Sequence, residues 1–349
     1  MATTQEYQKA SLNFSTYVQE CWMQTNTKWN VSDVPSIKTD FWLPEPYSFI
    51  AAGVYGAYSI FGTVLNIFII VALIRNKSLR KGYLAPSIFS IAVTDLIFSI
   101  SVCPAYSILF GRGKPLRSCQ IYSFIGFVTW ICSALNLLGI ASLRCILVHF
   151  PGHAKNIKFH QATKVVPLMT WVASVLWILP TAMGKFGQFG VGCKYMGCRM
   201  IEQDVDGNIA DPEKTLFLAI AAIGIVMFVM NILTYARVSR HNQSMLKNVA
   251  SVDEVTKNTL KKERKLGIMV AMMTTSFFIV YIPLLILRSI DTYIMTTHPK
   301  TFAVAIIFAG SIGIIDPIVY MAFNPQYQDA SKSLISDVTS FFRKRIINW

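Results

Sequence analysis

Charge is what this sequence has least of: 14% of its 349 residues are Asp, Glu, Lys or Arg, against roughly a quarter in soluble domains. With 53% of the residues hydrophobic, that scarcity excludes a disordered chain and disfavours an ordinary soluble one, since neither is this apolar. Enzyme motifs are also missing. There is no glycine-rich phosphate loop and no Gly-x-Ser-x-Gly elbow, and Gly310-Ser311-Ile312-Gly313 has the wrong spacing for one. His149 and His153 stand four apart, but Pro151 between them interrupts the shared helix face that zinc would need. No enzyme and no metal site is therefore expected. Residues 1–40 lack the apolar core of a secretory signal, so the first apolar span is expected to act as its own insertion signal. No repeat of fixed period appears.

What is present is a set of seven long stretches almost free of ionised side chains. They lie between Glu45 and Arg75, Lys81 and Arg112, Arg117 and Arg144, Lys164 and Lys185, Lys214 and Arg237, and Lys265 and Arg288, with the seventh after Lys300. About 20 residues rising 1.5 Å each cross a hydrocarbon core roughly 30 Å thick. Lipid offers backbone groups no water, so such spans must be helices. The fold class expected is an all-α membrane protein. It comprises a head over 1–46, a seven-helix bundle over 47–323, and a tail over 324–349 that starts with a short amphipathic interfacial helix near Pro325 to Ile335.

The net charge of +14 would suggest nucleic acid if it were spread evenly. It is not. With the head outside, the inner segments hold 20 basic side chains against five acids, whereas the outer ones hold twelve against eleven. Cytoplasmic loops retain Lys and Arg, so the asymmetry predicts a multi-pass protein of the plasma membrane with its N-terminus outside. Nucleic acid is not an expected partner. An anionic inner leaflet is, given the basic loops and the tail segment Phe341-Phe-Arg-Lys-Arg345. Phosphate on Ser331, Ser333, Ser336, Thr339 or Ser340 would oppose that attachment. Sequons at Asn13-Phe-Ser15 and Asn30-Val-Ser32 make both asparagines glycosylation candidates, although similar triplets at Asn76 and Asn242 fall on the inside.

Ionisable groups within a bilayer are expensive and are functional candidates by default. Two exist, Asp95 in the second span and Asp316 in the seventh. Pro317 follows Asp316 and opens the backbone ladder. With Asn66 and Ser133, the two acids make a candidate core site for water and a cation. The alternative is a hydrogen-bonded pair of carboxyls, one protonated, with no ion.

Asn66, Asp95, Cys119 opening the third span, Arg144 closing it, Trp171, Tyr235, Pro283 and Asp316-Pro317-x-x-Tyr320 together resemble the rhodopsin-like family of G-protein-coupled receptors. The second outer loop, Leu179-Pro-Thr-Ala-Met-Gly-Lys-Phe-Gly-Gln-Phe-Gly190, and Tyr281-Ile-Pro283 further resemble the Moody and trapped-in-endoderm group of invertebrate receptors, which are similar to melatonin receptors. The resemblance implies a receptor that binds an extracellular ligand and activates a heterotrimeric G protein as its sixth helix moves outward. Its allosteric ion would be sodium at Asp95, Ser133, Asp316 and Asn66, and it has no other cofactor. It also implies a disulfide from Cys119 to the second outer loop, at Cys193 or Cys198. Placing the Phe-Gly stretch against the group favours Cys198, which leaves Cys193 and Cys21 as a candidate second bridge. Cys103, Cys132 and Cys145 are expected to be inert apolar residues.

Departures from the pattern matter. The acid that normally precedes the arginine is Leu143, so Arg144 is expected to lean on Glu263 at the inner end of the sixth helix, with Tyr235 and Tyr320 nearby. The alternative is two solvated loop charges. Losing one partner acid predicts a loose inactive state with basal activity. Met227 replaces the fifth-span proline, and Tyr281 stands where the family has tryptophan. Phe277, Tyr281, Pro283 and Pro317 are the expected switch elements, against a plain core role. The third-helix position that carries an aspartate in amine receptors is Gly126, which disfavours an amine ligand. Residues 301–323 hold no lysine for a retinal Schiff base. Arg288, Asp291 and Lys185 are the ligand candidates. Two other classes compete: a receptor-shaped adhesion or scaffold protein, and a transporter or channel. The latter would call for paired broken helices or rings of pore charge.

Overall fold

The computed structural model describes residues 46–112, 119–150, 152, 157–185, 188–191, 198–201, 203–205, 208–210, 212–248, 254–290, 299–324 and parts of 326–340. The side chains of Cys119, Cys198, Glu263 and Arg288 lie outside that description, as do Asn13, Asn30, Cys21, Cys193 and Asp291 altogether.

Six helices are long and apolar enough to cross a membrane, and a bent pair makes a seventh. In order they are Tyr47–Arg75, Ala85–Arg112, Cys119–His149, Ile157–Ala182, Pro212–Asn248, Glu254–Ile290, and Pro299–Gly310 with Ile312–Phe323. The first shows how such a helix chooses its inner face. Its buried residues Ala51, Tyr55, Gly62, Asn66, Ile69 and Leu73 recur three, four or seven apart, the spacing of one side of an α-helix. Ile60, Phe61, Val64 and Ile67 on the other side are exposed, which suits a lipid neighbour rather than water.

Two helices are irregular where composition gives little warning. The second widens into a π turn over Phe98–Val102, an insertion that re-aims every later side chain. The seventh bends by 41° at Ser311, six residues before the expected break at Pro317. There the Ser311 N–H bonds to the carbonyl of Phe308, three residues back, at 3.0 Å, and the Tyr55 hydroxyl donates to the carbonyl of Ile306 at 2.9 Å.

Helix continues through Pro317 because its missing N–H is compensated. The carbonyl that it leaves without a helical donor belongs to Gly313, four residues earlier. Asn66 Nδ2 donates to that oxygen at 2.8 Å and to Gly62 O at 2.9 Å.

The bundle is not purely helical. Between the fourth and fifth helices, β1 (Gln188–Val191) pairs antiparallel with β2 (Cys198–Ile201), and β3 (Gln203–Val205) pairs with β4 (Asn208–Ala210). Phe189 lies opposite Met200 in the first hairpin, and both are buried in the main core. Beyond the seventh helix, residues 326–330 are helical. Tyr327 there stacks on Tyr320 with centroids 6.0 Å apart, and burial raises its phenol above the ordinary tyrosine range.

Candidate functional site

Three groups of buried side chains run down the bundle axis. At the hairpin end, Phe189 meets Phe124 and Phe127 of the third helix at 6.2 and 6.1 Å between centroids. Trp130, one turn further along, stands 5.0 Å from Phe217 of the fifth helix and 5.2 Å from Tyr281 of the sixth. Tyr281 in turn lies 4.7 Å from Phe277. These ring separations are those of interacting aromatics. They form one continuous path from the hairpin through three helices into the middle of the bundle. Trp130 carries no signal in the sequence, because an aromatic in an apolar span looks like any other core residue, and Phe189 stands in a loop motif that does not show which way its ring turns.

The polar group lies beside this path. Asp95 and Asp316 are both buried, with Asn66 and Ser133 as expected. Ser133 Oγ lies 3.4 Å from Asp95 Oδ1 and 3.0 Å from Thr94 Oγ1. A Cβ added at Gly313 would lie 3.8 Å from the Asp95 carbonyl oxygen, and the Gly313 carbonyl accepts from Asn66. Asp95 Oδ2, both oxygens of Asp316, Asn66 Oδ1 and the Tyr320 hydroxyl are buried without a hydrogen-bond partner. Buried polar atoms in that state are costly. The donor set is all oxygen and includes two carboxylates, the kind that a hard monovalent cation and its water take. The network extends further than the sequence suggested: Ser90 Oγ accepts from Asn136 Nδ2 and from Trp171 Nε1, each at 3.1 Å.

Arg144 is the third group. It is 1% exposed, and its Nη1 donates to the Tyr83 hydroxyl at 3.1 Å. A Cβ added at Gly267 of the sixth helix would lie 3.3 Å from Nη2, so a glycine is what lets that helix approach the guanidinium. The expected pairing with Glu263 lies outside the described side chains, although Glu263 precedes Gly267 by one turn. Leu143 is buried in the apolar core.

Other expected residues are less gathered. Tyr235 is 54% exposed, whereas Arg144 is buried. The neighbouring Thr234 takes the buried position on that helix, so helical phase turns Tyr235 outward. Tyr320 is buried but faces Tyr327. Pro283 lies within the unbroken sixth helix. Lys185 is exposed just past the fourth helix, while Asp291 and the Arg288 side chain lie outside the described residues. Cys103, Cys132 and Cys145 are free thiols, whereas the Cys119 and Cys198 side chains are outside the description. A ring nitrogen of His149 lies 2.9 Å from the Cys145 carbonyl.

The geometry has counterparts among known proteins. The family described as 7 transmembrane receptor (rhodopsin family) matches residues 65–320. Protein trapped in endoderm-1 of Drosophila melanogaster is 22% identical over 320 residues, covering 85% of this chain and 80% of that one. Short-wave-sensitive opsin 1 of Homo sapiens is 26% identical over 295 residues, 80% of each chain. Squid rhodopsin superposes with a TM-score of 0.70 at 18% identity, covering 85% of this chain and 87% of that one. Matched over most of its length, and folded as a bundle of apolar helices, the chain belongs to the rhodopsin family of seven-transmembrane, G-protein-coupled receptors.

Proposed function

We propose that the protein sits in the plasma membrane with its N-terminus outside, binds an extracellular ligand at the hairpin end, and activates a heterotrimeric G protein at the Arg144 end. The observation that carries this reading is the unbroken line of buried contacts from Phe189 through Trp130 and Tyr281 to Phe277, on the helix whose Gly267 abuts Arg144. A ligand acts only through contacts that differ between two states. Rearranging the rings around Trp130 would tilt the sixth helix at Tyr281, two residues before Pro283, where the ladder lacks one donor. Withdrawal of Gly267 would then uncover the Arg144 guanidinium for the G protein. The basic loops at that end favour the cytoplasmic leaflet.

Asp95, Ser133, Asn66 and Asp316 would hold a sodium ion and water, which would supply positive charge to the two buried acids. With that ion in place these residues would tie the first, second, third and seventh helices together, adding to the Ser133–Asp95 and Asn66–Gly313 bonds.

The test is a ligand-free G-protein dissociation panel in cells expressing wild type or Arg144→Ala. The proposal expects basal dissociation of at least one heterotrimer by wild type, reduced to background by the substitution. Equal signals from the two proteins would remove Arg144 from coupling.

A further inference from the structure

Resting on that reading, we infer that Tyr83 is the positioning residue for Arg144, taking over the task of the acid that Leu143 replaces. A guanidinium has five N–H donors and no acceptor, and one that is 1% exposed must find oxygens within the protein. The Leu143 side chain offers none and is itself packed in the core. The Tyr83 hydroxyl does, at 3.1 Å from Nη1.

Tyr83 is held in place by contacts that do not involve Arg144. Asn76 caps the short helix Lys77–Arg80, its Oδ1 accepting from the N–H groups of Ser78 at 2.9 Å and Leu79 at 3.4 Å. Gly82 N–H closes onto Leu79 O at 3.1 Å, and Ala85 N–H onto Gly82 O at 3.0 Å. Pro86 stiffens the start of the second helix. The Tyr83 ring packs against the main core, so its hydroxyl reaches Arg144 from a rigid turn.

The placement has a mechanical consequence. With Nη1 held by Tyr83, Nη2 faces Gly267. Tyr83 thus keeps the guanidinium folded against the sixth helix in the closed state. A neutral phenol is a weaker acceptor than a carboxylate, so the hold is shallower than an adjacent acid would provide. The hydrogen bond joins the turn before the second helix to the third helix, and it is available whether or not Glu263 reaches Arg144.

The experiment uses the full chain in lipid nanodiscs without ligand. Spin labels are placed at the exposed Lys164 and Lys265 positions through cysteine substitutions, with Cys145→Ser to remove competing reaction. Two quantities are read on the same samples: the distance between the fourth and sixth helices, and the rate of GDP release from added heterotrimer. Tyr83→Phe is expected to move population to longer distances and to speed GDP release roughly fivefold to tenfold. Adding Leu143→Asp to Tyr83→Phe is expected to return both quantities toward wild type, because an acid next to Arg144 resumes the hold. An unchanged distance distribution in Tyr83→Phe, or a double variant as open as the single one, would overturn the inference. If phenylalanine impairs folding, Tyr83→Trp removes the same oxygen and is read in the same way. Opening in Tyr83→Phe with no GDP release from any heterotrimer would uphold the role of Tyr83 and sink the coupling reading, so the two fail separately.

Discussion

Asn66→Leu should destabilise the bundle through a single carbonyl, and Pro317→Ala should cancel much of the loss. Asn66 Nδ2 donates to Gly62 O and Gly313 O. The Gly62 carbonyl keeps its helical donor, the N–H of residue 66, when the side chain becomes leucine. The Gly313 carbonyl has no such reserve, because residue 317 is proline. Leaving that buried acceptor without a donor costs about 1–3 kcal/mol, more than the ~0.6 kcal/mol of an average hydrogen bond between membrane helices. For a chain of 349 residues, a loss of ~2 kcal/mol corresponds to a fall of roughly 3 °C in unfolding midpoint. Alanine at 317 restores an N–H aimed at Gly313 O within a helix that is already regular there. In that background Asn66→Leu should cost about 1 kcal/mol or less. The assay is thermal unfolding in one detergent at one scan rate, followed by a thiol-reactive dye that reports exposure of the buried Cys103 and Cys132. Equal costs of Asn66→Leu in the two backgrounds would refute the reasoning.

Three further outcomes are expected. Gly267→Leu places a side chain where even a Cβ lies 3.3 Å from Arg144 Nη2, so it should force the sixth helix from the arginine and raise ligand-free signalling severalfold; a GTPγS-binding assay showing no rise would contradict the close approach. Sodium chloride should raise the unfolding midpoint of wild type above that in potassium chloride at equal ionic strength, and Asp95→Asn should abolish the difference; a difference that survives would place sodium elsewhere. Glu263→Ala should increase basal signalling if that acid shares the hold on Arg144, and unchanged signalling would leave the task to Tyr83.

Much of the membrane fold and of its polar core is legible in the sequence. Charge is so sparse that Asp95 and Asp316 stand out within their spans, and burying a carboxylate leaves few reasons to keep it other than function. The inner face of the first helix is not legible in this way, because apolar residues line its lipid side as well, and only burial separates Ile69 and Leu73 from the exposed Ile60 and Val64. The site residues that went unread are those whose character depends on a distant partner. Tyr83 is one aromatic in a loop until Arg144, 61 positions later, proves to be its neighbour. Phe189 could have lain on the surface, and the Phe189↔Met200 register is what turns both inward. Ser90 and Asn136 are neutral and blend with the span around them. The bend at Ser311 was hidden because Pro317 is the stronger local signal, and Asn66, 251 positions before it, removes its effect.

The central claim is that control of Arg144 governs nucleotide exchange, and one measurement tests it most directly. GDP release from a purified heterotrimer is followed in the presence of wild type, Arg144→Ala and Tyr83→Phe, each reconstituted in nanodiscs at equal receptor concentration without ligand. The account predicts the order Tyr83→Phe fastest, wild type intermediate, and Arg144→Ala no faster than heterotrimer alone. Equal release with all three proteins would contradict it.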